Sequence, residues 1–213
     1  FLSDVSAGGI EVSGPAVADI RIEGCVFTLV GADLTDYGIV VKGGLQSRAI
    51  TISDCAFRAG RGGIYVQASS VNEIAIRGCR FDDALADVGV RIDQGNVAPL
   101  IEGCMFEGGI GQGAILMDAI AAGLTTNPRL IGNWIGAPAT VNPWANLRKV
   151  RNALVADNVF AGARASAMLY VDAIAEASDD HGSVVTGNVM DGGDVATAGI
   201  WIGGNQRESL VAG

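Results

Sequence analysis

Three stretches of the chain share one pattern and decide the fold: IRIEGCVF at residues 20–27, ITISDCAF at residues 50–57 and IAIRGCRF at residues 74–81. In each, two apolar residues flank a third residue, two further residues follow, and cysteine, any residue and phenylalanine close the pattern. The Cys position and its later equivalents are 30, 24, 25, 29, 25 and 30 residues apart, an interval typical of a solenoid repeat. The looser copies are Ile101-Cys104-Phe106, Leu130-Asn133-Ile135, Val155-Asn158-Phe160 and Val185-Asn188-Met190.

A second pattern, glycine followed by alternating apolar residues, lies 8 to 13 residues after most of these copies. Alternation with period two is typical of a β-strand with one buried face. Each unit therefore predicts three short strands, and it can bury its apolar face only by stacking on its neighbours. The copies are Gly9–Val12, Gly38–Val41, Gly63–Val66, Gly89–Ile92 and Gly199–Ile202, with looser ones at Ile115–Met117 and Leu169–Val171.

Such stacked coils resemble the right-handed parallel β-helix of the pectin-lyase-like superfamily, and the resemblance runs from Gly9 to Ile202. We predict an all-β single domain over residues 1–213, a solenoid of about seven coils of 24 to 30 residues. Residues 134–152 match least, and Pro138, Pro143 and Trp144 predict a longer excursion there. Because no terminal cap is recognisable, open strand edges are expected at both ends. We therefore expect a portion of a longer chain, or capping by other subunits.

Charge and hydropathy exclude two classes of partner. A net charge of −9 argues against nucleic-acid binding, which requires Lys and Arg to displace counterions. No apolar run reaches the ~18 residues that a membrane span needs, so no membrane insertion is expected. The sequence begins with Phe1 and shows no basic segment typical of a signal peptide, so the cellular compartment is left open. An extracellular or virion-surface location is favoured.

Stacking the copies places Phe27, Phe57, Phe81, Phe106 and Phe160 in one inward column, continued by Ile135 and Met190. We interpret this column as core packing and not as a ligand site.

Cys25, Cys55, Cys79 and Cys104 share one turn position in four successive coils. Their even number allows disulfides, but side chains pointing the same way fit the required dihedral poorly. Zinc needs converging ligands, which a linear column lacks. A ladder of buried reduced thiols is the preferred interpretation. In later coils Asn133, Asn158 and Asn188 take this place, which resembles the asparagine ladder of pectate-lyase-like proteins.

Candidate chemistry lies on the outward positions of the glycine-led strand. The first outward column predicted is Glu11, Val40, Tyr65, Arg91, Leu116, Tyr170 and Trp201, and the second is Lys42, Gln67, Asp93, Asp118 and Asp172. In the enzymes that the chain resembles, substrate lies in a groove along this strand.

We predict Arg91, Asp93 and Asp118 as the catalytic cluster. Two carboxylates one strand apart could act as acid and base on a glycoside. Alternatively they could hold Ca²⁺, the one cofactor left open, while Arg91 abstracts a proton next to a uronate carboxylate. The alternative to both roles is that these acidic side chains only interact with solvent and that Asp93 forms an ion pair with Arg91. The chain matches neither the lyase nor the hydrolase catalytic patterns, so the sequence leaves enzymatic activity undecided.

Aromatic side chains on the outer surface predict sugar binding. Tyr65, Tyr170 and Trp201 are the substrate-binding candidates, and Trp134 and Trp144 are further exposed-aromatic candidates. His181, the only histidine, lies in Ser178-Asp-Asp-His-Gly182, where a loop turn is preferred over proton transfer.

The leading hypothesis is recognition of an extended polysaccharide along the outer face, with or without lyase, hydrolase or epimerase activity. A surface repeated from coil to coil suits a repeating polymer. The alternative is a non-catalytic structural or adhesive spike, of the kind found on phage tails or heads or as a surface adhesin. A homotrimer or larger assembly would accompany that alternative.

Overall fold

The computed structural model describes residues 9–28, 37–43, 47–67, 71–93, 95–108, 110–118, 124–136, 143–162, 167–173, 182–191, 198–204 and 210–212. Among these residues there are 25 β-strands, numbered β1 to β25 along the chain, and no helix. No helix long and apolar enough to cross a membrane occurs in this part of the chain.

Three long sheets run along the solenoid, and each takes one strand from each coil. Sheet A has eight strands: β1 (Ile10–Gly14), β4 (Tyr37–Gly43), β7 (Gly62–Val66), β10 (Val88–Asp93), β13 (Gly113–Asp118), β17 (Ala145–Arg148), β21 (Ala167–Ala173) and β24 (Ala198–Gly204). Sheet B also has eight: β2 (Ala18–Glu23), β5 (Arg48–Ser53), β8 (Asn72–Arg77), β11 (Leu100–Glu102), β15 (Arg129–Ile131), β19 (Leu154–Ala156), β22 (Val184–Thr186) and β25 (Leu210–Ala212).

Sheet C has seven strands: β3 (Val26–Thr28), β6 (Ala56–Gly60), β9 (Arg80–Leu85), β12 (Met105–Phe106), β16 (Trp134–Gly136), β20 (Val159–Ala161) and β23 (Val189–Asp191). A short additional pair joins β14 (Thr125–Thr126) and β18 (Val150–Arg151). Neighbouring strands are parallel in all three sheets, since the other two strands of a coil serve as the crossover. The predicted parallel β-helix is confirmed.

The inward phenylalanine column is also confirmed, and it explains the glycines of the second pattern. The rings of Phe57 and Phe81 stack at 4.9 Å between centroids, and those of Phe81 and Phe106 at 4.6 Å. A Cβ at Gly63 would overlap the Phe81 ring, and Gly38 and Gly89 meet Phe57 and Phe106 in the same way. Glycine is therefore required at these three positions of sheet A, whereas Ala114, Trp144 and Met168 take the equivalent position in the next three coils.

The turn between sheets B and C carries both predicted ladders. All four cysteines are free, and three of them, Cys55, Cys79 and Cys104, are buried. The Asn133 Nδ2 donates to Asn158 Oδ1 at 2.9 Å, and Asn158 Nδ2 donates to Asn188 Oδ1 at 2.9 Å. Asn133 Oδ1 accepts the backbone N–H of Cys104 at 2.9 Å, which links the asparagine ladder to the thiols. Polar turn backbone inside the coil is thereby satisfied.

Residues 134–152 differ from the prediction. Residues 137–142, where the excursion was expected, lie outside the described part, but the chain rejoins the solenoid by Trp144. Strand β17 pairs with β13 on one side and β21 on the other. Trp144 is fully buried, so its prediction as an exposed sugar-stacking residue is wrong. A large apolar side chain that starts a sheet strand is more stable in the core than in water.

Candidate functional site

The outer face of sheet A carries the two predicted columns in register. The first outward column pairs Tyr65 with Arg91, Arg91 with Leu116, and Tyr170 with Trp201. The second outward column pairs Asp93 with Asp118. Strand β17 adds one residue to each column, Asn146 to the first and Arg148 to the second. Neither was foreseen, because Ala145-Asn-Leu-Arg148 alternates like the other copies but lacks the leading glycine.

Asp93 is held by two neighbours at once. Its Oδ1 accepts from Arg91 Nε at 3.0 Å, and its Oδ2 accepts from the Tyr65 hydroxyl at 2.7 Å. The residue is only 5% exposed. Both carboxyl oxygens are therefore engaged in hydrogen bonds with protein donors.

A second buried carboxylate, Asp87 in the turn before β10, extends this network. Its Oδ2 accepts from the Tyr37 hydroxyl at 2.6 Å and from Arg61 Nε at 3.3 Å. Arg91 Nη1 lies 3.8 Å from the same oxygen, so this guanidinium bridges Asp87 and Asp93. We call the six residues Tyr37, Arg61, Tyr65, Asp87, Arg91 and Asp93 the central network; its two carboxylates and two guanidiniums balance in charge.

Ring contacts hold the same residues in place. The Tyr37 and Tyr65 ring centroids are 5.0 Å apart with the planes tilted by 37°. The Arg91 guanidinium carbon lies 5.3 Å from the Tyr65 ring centroid, within cation–π range. Tyr65 therefore packs between a second ring and a cation while its hydroxyl binds Asp93.

The network keeps its donors protonated. Burial and the hydrogen bond to Asp93 raise the pKa of Tyr65 to about 12, and burial with the bond to Asp87 raises the pKa of Tyr37. Burial alone would lower the pKa of Arg91, but its hydrogen bond to Asp93 and the charge of that carboxylate outweigh burial and raise it. Arg91 and both tyrosines thus remain hydrogen-bond donors throughout the physiological pH range.

The far end of sheet A is aromatic. Tyr170 and Trp201 stack face to face, with centroids 4.1 Å apart and planes within 2°. The Arg148 guanidinium carbon lies 5.9 Å from the Tyr170 centroid, and its Nη1 lies 3.7 Å from Asp118 Oδ2. Trp201 keeps 41% of its surface exposed. The structure thus brings two of the three predicted sugar-binding residues together, with an arginine at their edge, whereas Tyr65 lies in the central network.

Asn146 contributes an unused acceptor. It is 6% exposed, and its Oδ1 is buried without a hydrogen-bond partner. The residue lies in the first outward column beside Tyr170. An unsatisfied buried carbonyl is unfavourable by about 1–3 kcal/mol, so this oxygen is suited to accept from an added donor.

The predicted catalytic residues are neighbours, but they divide between two ion pairs. Arg91 binds Asp93, whereas Asp118 on the adjacent strand faces Arg148. Calcium needs six to eight oxygen ligands. Among the described residues no group of three or more His, Cys, Asp or Glu could hold a metal ion. A Ca²⁺ site stays a prediction, and no step below relies on it.

Two other candidates lie elsewhere. Trp134 points outward as predicted and is 37% exposed, but it belongs to sheet C and so faces away from the two columns. His181 lies outside the described residues.

Comparison with known proteins identifies the fold family. Residues 2–142 match the family described as right handed beta helix region. No curated protein and no solved structure matches the chain. Since the matched segment covers well over half of the 213 residues, the chain belongs to the right-handed β-helix family.

Proposed function

We propose that the outer face of sheet A binds an extended polysaccharide, with successive sugars over successive coils. The observation that carries this proposal is the register of the two outward columns across parallel strands spaced by ~4.8 Å. Each coil from β7 to β24 presents a polar or aromatic side chain in at least one of the two columns; in β13, where the first column has Leu116, the second has Asp118. A polymer with a repeating unit can use such a surface at several coils at once.

Trp201 is the proposed anchor for one sugar ring. Its indole is partly exposed, and its stacking on Tyr170 fixes the ring orientation. An aromatic side chain already ordered in the free protein loses little conformational entropy on binding. Apolar sugar faces pack well against such rings, while the hydroxyl groups stay in water.

The central network is the proposed polar part of the surface. Arg91 Nε donates to Asp93 at 3.0 Å, Nη1 forms a 3.8 Å ion pair with Asp87, and a guanidinium carries five N–H donors in total. The remaining donors are available to sugar hydroxyls, and the partly exposed Tyr65 borders them. Rigid, satisfied side chains of this kind orient a ligand without a large reorganisation.

The contacts favour binding over cleavage. A glycosidase carboxyl needs an oxygen that can reach the substrate, whereas both oxygens of Asp93 accept hydrogen bonds from protein groups and the residue is 5% exposed. A lyase base must be deprotonated, whereas Asp93 raises the pKa of Arg91. We therefore propose a positioning role for Arg91, Asp93 and Asp118, and their catalytic role stays a prediction.

A glycan array tests the proposal with a matched pair of variants. Trp201→Ala should weaken binding by about tenfold or more, equivalent to ~1.4 kcal/mol. Trp134→Ala is the control, because both indoles are similarly exposed and each lies against a glycine two residues later, but Trp134 is on sheet C. No glycan bound, or equal losses in both variants, would contradict the proposal.

The same glycans test cleavage. Reducing ends and the ultraviolet absorbance of unsaturated products should stay at background if the surface only binds. Turnover that is abolished by Asp93→Asn and by Asp118→Asn, with folding intact, would instead establish the catalytic prediction.

A second candidate function is supported by the outer face of sheet C. Its outward column includes four exposed large apolar side chains, Val26, Met105, Trp134 and Val189; the exposed Arg80 separates Val26 from the other three, which are joined through Val159. Contiguous exposed apolar surface is typical of subunit interfaces. A spike-like oligomer packed through sheet C would bury it. Sedimentation velocity should then show a trimer or larger assembly that Met105→Glu dissociates; a monomer at micromolar concentration would contradict this candidate.

A further inference from the structure

The positive charges on the outer face of sheet A are all paired. Among the described residues of the two outward columns and the turns before β7 and β10, each cation has a carboxylate within 4.0 Å. The pairs are Lys42–Glu11 at 2.8 Å, Arg61–Asp87 at 3.3 Å, Arg91–Asp93 at 3.0 Å and Arg148–Asp118 at 3.7 Å. Asp172, beside Arg148 in the register, adds a fifth carboxylate to four cations. The surface is therefore slightly acidic, on a chain whose net charge is −9.

A polyanion would have to compete for these cations. The carboxylates of Asp87 and Asp93 are almost completely buried and hydrogen-bonded to tyrosines as well as arginines. Displacing them would leave buried charges without partners, which is strongly unfavourable. Asp118 and Asp172 would in addition repel an incoming uronate or sulfate.

The unpaired acceptor indicates a hydroxyl-bearing ligand. Asn146 Oδ1 has no hydrogen-bond partner, and a sugar hydroxyl can donate to it. Uronates carry such hydroxyls too, so the preference for a neutral polymer depends on the paired cations and not on this acceptor.

We infer that the polysaccharide bound by sheet A is an uncharged, hydroxyl-rich glycan and not a polyuronate or sulfated polymer. This inference rests on the proposed function. Stacking on Trp201, donation from Arg91 and acceptance at Asn146 then supply contacts that a neutral sugar can satisfy together.

Binding of defined polymers tests the inference. Neutral β-glucan, xylan and galactomannan are compared with polygalacturonate, alginate and heparin, each with Ca²⁺ and with a chelator. We expect a neutral glycan to bind at least about tenfold more tightly than any polyanion, with little dependence on salt. Tighter binding of a polyanion, with or without Ca²⁺, would overturn the inference alone. Binding of no polymer would overturn the proposed function itself.

A gain-of-function pair tests the role of the ion pairs. Asp118→Asn releases Arg148 on sheet A, and Glu102→Gln releases Arg77 on sheet B, where the two side chains pair at 3.0 Å. Both variants change the net charge by the same amount. We expect only Asp118→Asn to raise the affinity for polygalacturonate, by several-fold. Equal gains in both variants, or no gain in either, would show that pairing of Arg148 does not exclude anions.

Discussion

Replacing Asn158 by leucine tests the asparagine ladder, the feature that stabilises the turn between sheets B and C. Asn158 Nδ2 donates to Leu130 O and Ala156 O at 3.0 Å each and to Asn188 Oδ1 at 2.9 Å. Its Oδ1 accepts from the backbone N–H and from the side-chain amide of Asn133, both at 2.9 Å. Leucine has the same number and branching of side-chain heavy atoms but can make none of these bonds.

The magnitude follows from the groups left unpaired. The Asn133 N–H loses its partner inside the coil, which is unfavourable by about 1–3 kcal/mol. Ala156 O keeps the bond from the Gly132 N–H at 3.0 Å, so its loss is nearer ~0.5–1 kcal/mol. Leu130 O and the side-chain amides of Asn133 and Asn188 also lose a bond. We therefore expect the free energy of unfolding to fall by about 3–5 kcal/mol in total. For a domain of this size that lowers Tm by about 6–20 °C.

Differential scanning calorimetry of three variants provides the assay. Asn158→Leu should show the full loss. Asn158→Cys should show a smaller loss, since Cys104 occupies the same turn position and its Sγ lies 3.7 Å from Ile76 O. Asn72→Leu, on an exposed position of sheet B, should stay within ~0.5 kcal/mol of the wild type. If Asn158→Leu and the Asn72→Leu control have the same Tm, the stabilising role of the ladder is refuted.

Three further outcomes follow from the core and the central network. Phe81→Ala should lower the free energy of unfolding by about 3–5 kcal/mol in denaturant titrations, and more than Phe27→Ala, whose ring stacks on one neighbour only. In native protein at mildly alkaline pH, a thiol reagent should modify Cys25, and the three buried thiols should react only after the protein has unfolded. Because the folded pKa of Tyr65 is raised from 10.0 to about 12, its stabilising contribution is complete below pH 10.0 and is lost as pH rises towards 12. Ultraviolet titration should show a phenolate transition near that pH that Tyr65→Phe removes; titration of all tyrosines at an ordinary pH would contradict the bond to Asp93.

The sequence predicted most of the architecture because a solenoid repeats its own local pattern. The positions of Phe27 to Phe160 and of the Cys and Asn residues recur at coil intervals, so their superposition required no tertiary information. The same coil intervals predicted that Asp93 lies beside Asp118, and Tyr170 beside Trp201, on neighbouring strands. Strand β17 escaped because its copy lacks both the glycine and a regular spacing, and Trp144 was misjudged with it.

The coil intervals did not predict every partner of the charged side chains. The sequence predicted an ion pair between Asp93 and Arg91 as the alternative to catalysis, and the structure shows this pair. That Asp118 faces Arg148 was not predicted, because β17 was not recognised as a copy of the repeat. Tyr37 precedes the strand pattern and gave no signal of its bond to Asp87. Long side chains choose partners by rotamer and local burial, which sequence periodicity does not encode.

What the sequence by itself determined is the stacking: which residues face the core, which turn carries the polar ladder, and which outward residues lie above one another. These depend on strand alternation and coil length, both of which are local properties. Only the tertiary structure decided that the outer face of sheet A is neutralised by its own ion pairs and that Asn146 keeps an unused acceptor. A hydrogen bond or ion pair between side chains of different coils requires a donor–acceptor distance that is right to within a few tenths of an ångström. These distances are set only when the coils have packed.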